Sequence, residues 1–330
     1  VLANYEKSGV NFLKSNSFVI RKNQLAIVLA WLMLIVVLLW ILPSGFRGDV
    51  GPDSHTYRVI YEQGASDSGY FYFSEKYGFE PGFSAFIVAL KKVNVSYEGL
   101  QLIVSIFSML SVLFVFKKVK PINFVIFILL YFCFIYYQLQ WSVIRNNMAF
   151  WLFCVSLTFF RNLNFSALIS SVFHYSFFIT FFRFRLIYFV LGAIPILFLI
   201  YFYIEKYSAL NSELLYSFFW GGWFRLAYHL FLALTLLYLL CFSRLSIKYI
   251  RIHEPAVVFF IFVFSVGMLF PLGWRLVAVA IPFLLLVDFK FITIRRLIAF
   301  VIVSILVFIQ KSYYFTMAEI ESGDYPVVKF

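Results

Sequence analysis

An all-α polytopic membrane fold is predicted by three features of this chain. Long uncharged runs recur from one end to the other, each near the roughly 20 residues needed to cross a bilayer core of about 30 Å. Hydrophobic residues make up 63% of the 330 positions and charged residues only 13%, which is too apolar for a soluble domain of this size. Mean hydropathy is +0.93, and the longest polar, charge-bearing segment is the single stretch Gly45 to Phe83.

Residues 1–23 are mixed polar, and Lys7, Lys14, Arg21 and Lys22 precede the first apolar run, which places them in the cytoplasm. Gln24 to Leu42 then reads as a retained helix, because it is long and has no A-x-A cleavage site. It delivers Pro43 to the far side, so the loop over 43–97 is extracytoplasmic, punctuated by Gly, Pro, Asp and Ser. Within that loop Phe83 to Leu90 is apolar but too short to span. It is closed by Lys91 and Lys92 and is expected to lie at the interface.

Spans follow at about Gly99 to Phe116, Pro121 to Leu139 and Trp141 to Phe160, with Lys117, Lys118, Lys120 and Arg161 returning inside. Counting Phe165 to Phe182 as a full crossing would put Arg183, Arg185, Arg244, Lys248, Arg251, Lys290, Arg295 and Arg296 outside. A re-entrant pair of half-helices, broken near Ser170 and Ser171, restores the positive-inside bias. The remaining spans are then Leu186 to Ile204, Leu226 to Phe242, Ala256 to Phe270, Leu276 to Val287 and Leu297 to Tyr313. The expectation is about nine crossings plus one re-entrant element, in one transmembrane domain over 24–313 with a tail over 314–330.

The net charge of +12 is topological on this reading, since Lys and Arg collect in cytoplasmic loops, and nucleic acid is not an expected partner. Four arginines break that rule: Arg47, Arg145, Arg225 and Arg275 fall on or near the extracytoplasmic side. Arg145 is the sharpest case, because WSVIRNNMAFWLF continues an apolar helix and a charge at the bilayer centre costs about 3 kcal/mol on insertion scales. One explanation is snorkelling at a helix end. The other is a polar cavity that receives phosphoryl groups, which a planar guanidinium binds bidentately while staying charged.

His174, in SSVFHYSFF, is the histidine embedded in an apolar segment; it fits either core packing or donation to a phosphate or sugar hydroxyl. Among the loop acids, Glu80 precedes Pro-Gly-Phe, so a rigid turn would hold its carboxylate at the membrane surface. Asp53 and Tyr57 are spaced to meet across one helical turn. Cys133, Cys154 and Cys241 sit in apolar runs without paired spacing, and no two histidines have the spacing of a zinc site, so no metal or other cofactor is expected. G-x-S-x-G, P-loop and GxGxxG patterns are absent, which argues against serine hydrolysis and nucleotide-driven chemistry.

The succession FRGDVGPDSHTY, FEPGF, VIRNNMAFWL, FHYSFF and GWRLVAVAIPFL resembles bacterial polysaccharide polymerases of the EpsG-like, Wzy type, from about Arg47 to Phe283. The family commonly has Arg-Gln where this chain has Arg145-Asn146, an amide of shorter reach. The resemblance implies a GT-C-like membrane glycosyltransferase of the bacterial inner membrane, with its site facing the periplasm or cell exterior. Its substrates would be undecaprenyl-diphosphate-linked oligosaccharide donor and acceptor, and its partners a chain-length regulator and a flippase. On that basis Glu80, Asp53, Arg145 and His174 are the expected catalytic residues. Arg47, Tyr57, Asn146, Arg225 and Arg275 are expected to bind diphosphate or sugar. A flippase for the same lipid-linked glycan, or a ligase of the finished polymer, is the alternative.

Overall fold

A computed structural model describes residues 23–48, 50, 54–64, 69–177, 278–279, 281–285 and 293–321. Among the described residues every regular element is helical and there is no strand. Asp53, Arg225, Arg275 and the spans expected at Leu186 to Ile204, Leu226 to Phe242 and Ala256 to Phe270 lie outside the described residues.

Helix α1, Asn23–Phe46, and helix α5, Tyr97–Lys118, are each long and apolar enough to cross a bilayer. α1 is two-faced. Ala26, Ala30, Met33, Val37 and Ile41 recur at helical spacing and are buried, while Ile27, Val28, Trp31, Leu32, Ile35 and Leu39 are exposed, as a lipid-facing surface requires. Its last turn, Leu42–Phe46, tightens to a 3-10 helix around Pro43, which has no N–H to continue the ladder. The carbonyl of Ile41 receives the hydroxyls of Ser44 (2.7 Å) and Ser105 (2.8 Å) instead. Gly45 lets this turn lie on α5, where an added Cβ would sit 3.0 Å from Ser105 Cβ.

The stretch between α1 and α5 folds into three helices, α2 (Ser54–Gln63), α3 (Tyr72–Tyr77) and α4 (Pro81–Lys92). They close over an aromatic core of their own, built on Tyr57, Tyr61, Phe73, Phe79 and Phe83, which also takes in Tyr97 and Leu100 of α5 and Met148 further on. The loop is therefore packed against the membrane helices and is not a solvated tether.

Helix α6, Pro121–Phe134, is buried from Asn123 onward, which explains its unbroken apolar sequence. It stops short of the Leu139 boundary that the sequence predicts. The helix is interrupted at Ile135, and after Tyr136 and Tyr137 a π-helical turn over Gln138–Ser142 leads into α7, Ile144–Phe160. The irregular backbone is tolerated because protein groups surround it, with Leu139, Gln140 and Val143 all buried. α7 ends at Arg161, whose left-handed φ of 52° caps the helix through its N–H to Leu157 O. Asn162 then caps α8, Leu163–Ser171, by accepting from Phe165 N. A two-residue link makes α7 and α8 an antiparallel hairpin. At nine residues α8 rises only about 14 Å, roughly half the bilayer core, before the chain turns at Val172. The end of α8 falls at the break predicted near Ser170 and Ser171; the described chain continues to residue 177.

A short 3-10 turn, Ile281–Leu285, and a final helix, α9 (Ile294–Glu321), pack on α6, the former through Asn123 Nδ2 to Leu284 O at 3.0 Å. α9 continues past the Tyr313 end expected for the last span.

Candidate functional site

The geometry starts at the turn between α3 and α4. Gly78, at φ 66°, ends α3, and Glu80 is extended, as a residue before proline favours. Pro81 opens α4 in the position where its missing N–H costs nothing. Glu80 does not cap its own helix through its side chain; the carboxylate, almost fully buried, turns instead toward α7.

There Arg145 Nη1 meets Glu80 Oε2 at 2.9 Å, and Arg145 Nε donates to Tyr57 Oη at 3.0 Å. The guanidinium carbon stands 4.7 Å from the centroid of Phe79. Three loop residues thus hold two edges and one face of a single arginine. Its Nη2 makes no hydrogen bond among the described residues, and the side chain keeps 20% of its surface exposed. Burial of this cation is offset by a carboxylate, a phenol and an aromatic face, and one donor edge is left over.

The other oxygen of Glu80 faces the turn after α8. Tyr175 N–H points to Oε1 at 3.4 Å, and His174 Nε2 lies 3.9 Å from it, too long for a hydrogen bond but within ion-pair range. His174 Nδ1 accepts from Ser176 N–H at 3.1 Å, which assigns the proton of the neutral ring to Nε2, on the Glu80 side.

Gly82 makes this approach possible. Its N–H donates to Val172 O at 3.0 Å, and an added Cβ would stand 2.5 Å from Val172 Cγ1 and 2.9 Å from Val172 O. Only a residue without a side chain lets the start of α4 lie this close to the turn that carries His174. The sequence pattern Glu-Pro-Gly thus has three separate jobs: the acid, the rigid helix start and the close contact.

Arg47 belongs to an adjoining cluster. It is buried and donates through Nη1 to the carbonyl of Gln140 in the π-helical turn. Gln140 and Asn147 are joined amide to amide by two bonds of 3.2 Å. Gln140 also donates to Tyr131 Oη (2.8 Å) and accepts from Ser44 (3.1 Å), while Asn147 donates to Ser108 Oγ (3.1 Å). Of the expected pair Arg145-Asn146, the amide that enters this network is the next residue, Asn147. Asn146 is buried and its Oδ1 has no partner among the described residues.

The sequence-predicted residues Glu80, Arg145, Tyr57 and His174 therefore meet at one point, and Arg47 lies in the neighbouring network. Gly82, Phe79, Gln140 and Asn147 are additions that the sequence reading passed over. For the two amides the available signal was polar side chains inside otherwise apolar spans, the same signal that singled out Arg145.

Fold and site together define a helical membrane protein in which the loop between α1 and α5 and a broken set of helices hold a largely enclosed cation–carboxylate pair. The chain belongs to the EpsG family, whose model matches residues 30–319. This is a family of polysaccharide polymerases, membrane proteins whose substrates are lipid-linked sugars. No curated protein and no solved structure matches the chain.

Proposed function

We propose that the protein is a membrane glycosyltransferase that moves a growing glycan from undecaprenyl diphosphate onto an incoming lipid-linked repeat unit, at the outer face of the cytoplasmic membrane. The observation that supports this reading most is Arg145: partly buried, held by Glu80, Tyr57 and Phe79, and left with one unused donor edge.

In the transfer, the bond between the donor sugar's anomeric carbon and the diphosphate oxygen breaks, and its electron pair leaves with the diphosphate. The hydroxyl oxygen of the acceptor sugar bonds to that carbon and gives up its proton. Arg145 stabilises the charge growing on the leaving diphosphate through its free edge. Glu80 takes the acceptor's proton. It is preferred to Asp53 because its carboxylate is already fixed beside Arg145. His174 faces the carboxylate from the other side, with Nε2 3.9 Å from Oε1, close enough to meet a sugar hydroxyl placed between them. Arg225 and Arg275 are candidates for further diphosphate contacts.

The test is the glycan made in cells by Arg145→Ala and Glu80→Gln at normal protein levels. Single repeat units in both are expected for a lost polymerase. Full-length ladders would overturn the roles given to these residues. Long unattached polymer would indicate a ligase, and no exported glycan a flippase.

A further inference from the structure

Where the 3-10 end of α1 meets the π-helical turn before α7, the protein has a small, partly open cavity of about 10 Å³, the room taken by one water or one hydroxyl. Its polar wall is Ser44, Arg47, Gln101, Ser105, Gln140 and Asn147. Gln140 and Asn147 are occupied with each other and with Tyr131, Ser108 and Ser44. Gln101 is different. Its side chain is 3% exposed, its Nε2 is fixed by donating to Gly48 O at 2.7 Å, and its Oε1, in the cavity wall, has no hydrogen-bond partner among the described residues.

A buried amide oxygen without a donor loses the hydration it had in water, so it favours an occupant that brings an O–H. An ionised phosphate offers only acceptors and would be repelled by this oxygen. A sugar hydroxyl offers one donor for Gln101 and lone pairs for the guanidinium and hydroxyls around it.

The cavity is next to the Arg145 cluster through two elements. On α7, Ile144 and Asn147 line the cavity on either side of Arg145 in the chain. On α2, Ser54 contacts Trp141 O of the π-helical turn and Tyr57 holds Arg145; the two are about 4.5 Å apart along the helix.

We infer that this cavity is a specificity subsite that receives one hydroxyl of a substrate sugar, with Gln101 Oε1 as its acceptor. The inference rests on the transfer reaction proposed above and names the group by which that site reads its sugar. The cavity's size admits a single hydroxyl and keeps the sugar ring outside. The diphosphate is left to Arg145.

The test uses the full chain in lipid nanodiscs with the lipid-linked repeat unit extracted from the producing strain after deletion of this gene. Initial rates of ladder formation are measured against its concentration. Gln101→Met removes the acceptor, and Val104→Ile fills the cavity while keeping every polar group. Both are expected to raise KM roughly tenfold or more, with kcat much less affected. An unchanged KM in Val104→Ile, or a lowered melting temperature with unchanged KM in Gln101→Met, identifies a structural water and overturns the subsite. Failure of the unsubstituted protein to extend the glycan is a separate result, which counts against the proposed transfer itself.

Discussion

Two polar clusters stand side by side at the N-terminal ends of α2 and α7, and they are built on opposite plans. Around Gln140 and Asn147 the groups are mostly neutral amides and hydroxyls, bonded to one another in a closed circuit with Ser44, Tyr131 and Ser108. Around Arg145 the groups are charged, the partners come from α2, the α3–α4 turn and the chain after α8, and one guanidinium edge is unused. In a low-dielectric setting a satisfied neutral network fixes a backbone irregularity at little cost, while a charged pair is expensive to build and strongly responsive to a further charge. The first plan suits a scaffold and the second a reaction centre.

The largest expected effect separates stability from activity at the charged cluster. Arg145→Met leaves the Glu80 carboxylate buried without its cation, at a cost of about 3 kcal/mol or more. Combining it with Glu80→Gln removes the orphaned charge. Thermal unfolding in detergent should show the double variant recovering much of the loss, while the glycan ladder stays absent in both. If the double variant is no more stable than Arg145→Met, the pair is not the coupled unit described here.

Gly82→Ala is expected to come next. Its Cβ meets Val172 at distances real side chains do not occupy, so α4 and the His174 turn must separate, with an overpacking cost of about 1–3 kcal/mol. Polymer should shorten or vanish although no reacting group has been touched. A full ladder from this variant would mean that the contact between α4 and the turn is dispensable.

The smallest effect belongs to the neutral cluster. Ser108→Ala deletes one acceptor for Asn147 and should cost about 1 kcal/mol, read as a modest fall in melting temperature. Its ladder should be unchanged, since Ser108 lines neither the cavity nor the Arg145 cluster. Loss of polymer there would erase the distinction between scaffold and reaction centre.

Much of the charged cluster was legible because charge in an apolar run is a local anomaly. Arg145 and His174 each stand out from their immediate neighbours, Glu80 was marked among the loop acids by the Pro-Gly that follows it, and the break near Ser171 followed from the bookkeeping of cations across the membrane. The interruption between α6 and α7 was not legible. From Ile135 to Val143 the sequence sets Gln138, Gln140 and Ser142 among aromatic and aliphatic residues without any Gly or Pro to mark a break, and the contacts that hold the irregular turn come from Arg47 and Ser44, nearly a hundred residues earlier. Gly82 was hidden for another reason. In Pro-Gly-Phe a glycine reads as a turn residue, yet it lies inside the first turn of α4, and the reason for it is a carbonyl ninety residues downstream. Long-range steric demands leave no periodic trace.

That contact also says how substitutions should be tolerated. The bond between residues 82 and 172 runs from backbone to backbone, so it asks nothing of Val172 beyond a side chain that can turn its Cγ1 aside, while it admits only hydrogen at Gly82. A saturation library should therefore be lopsided across this pair. Many residues would be accepted at 172 and almost none at 82, although neither side chain carries a charge, a proton or a sugar.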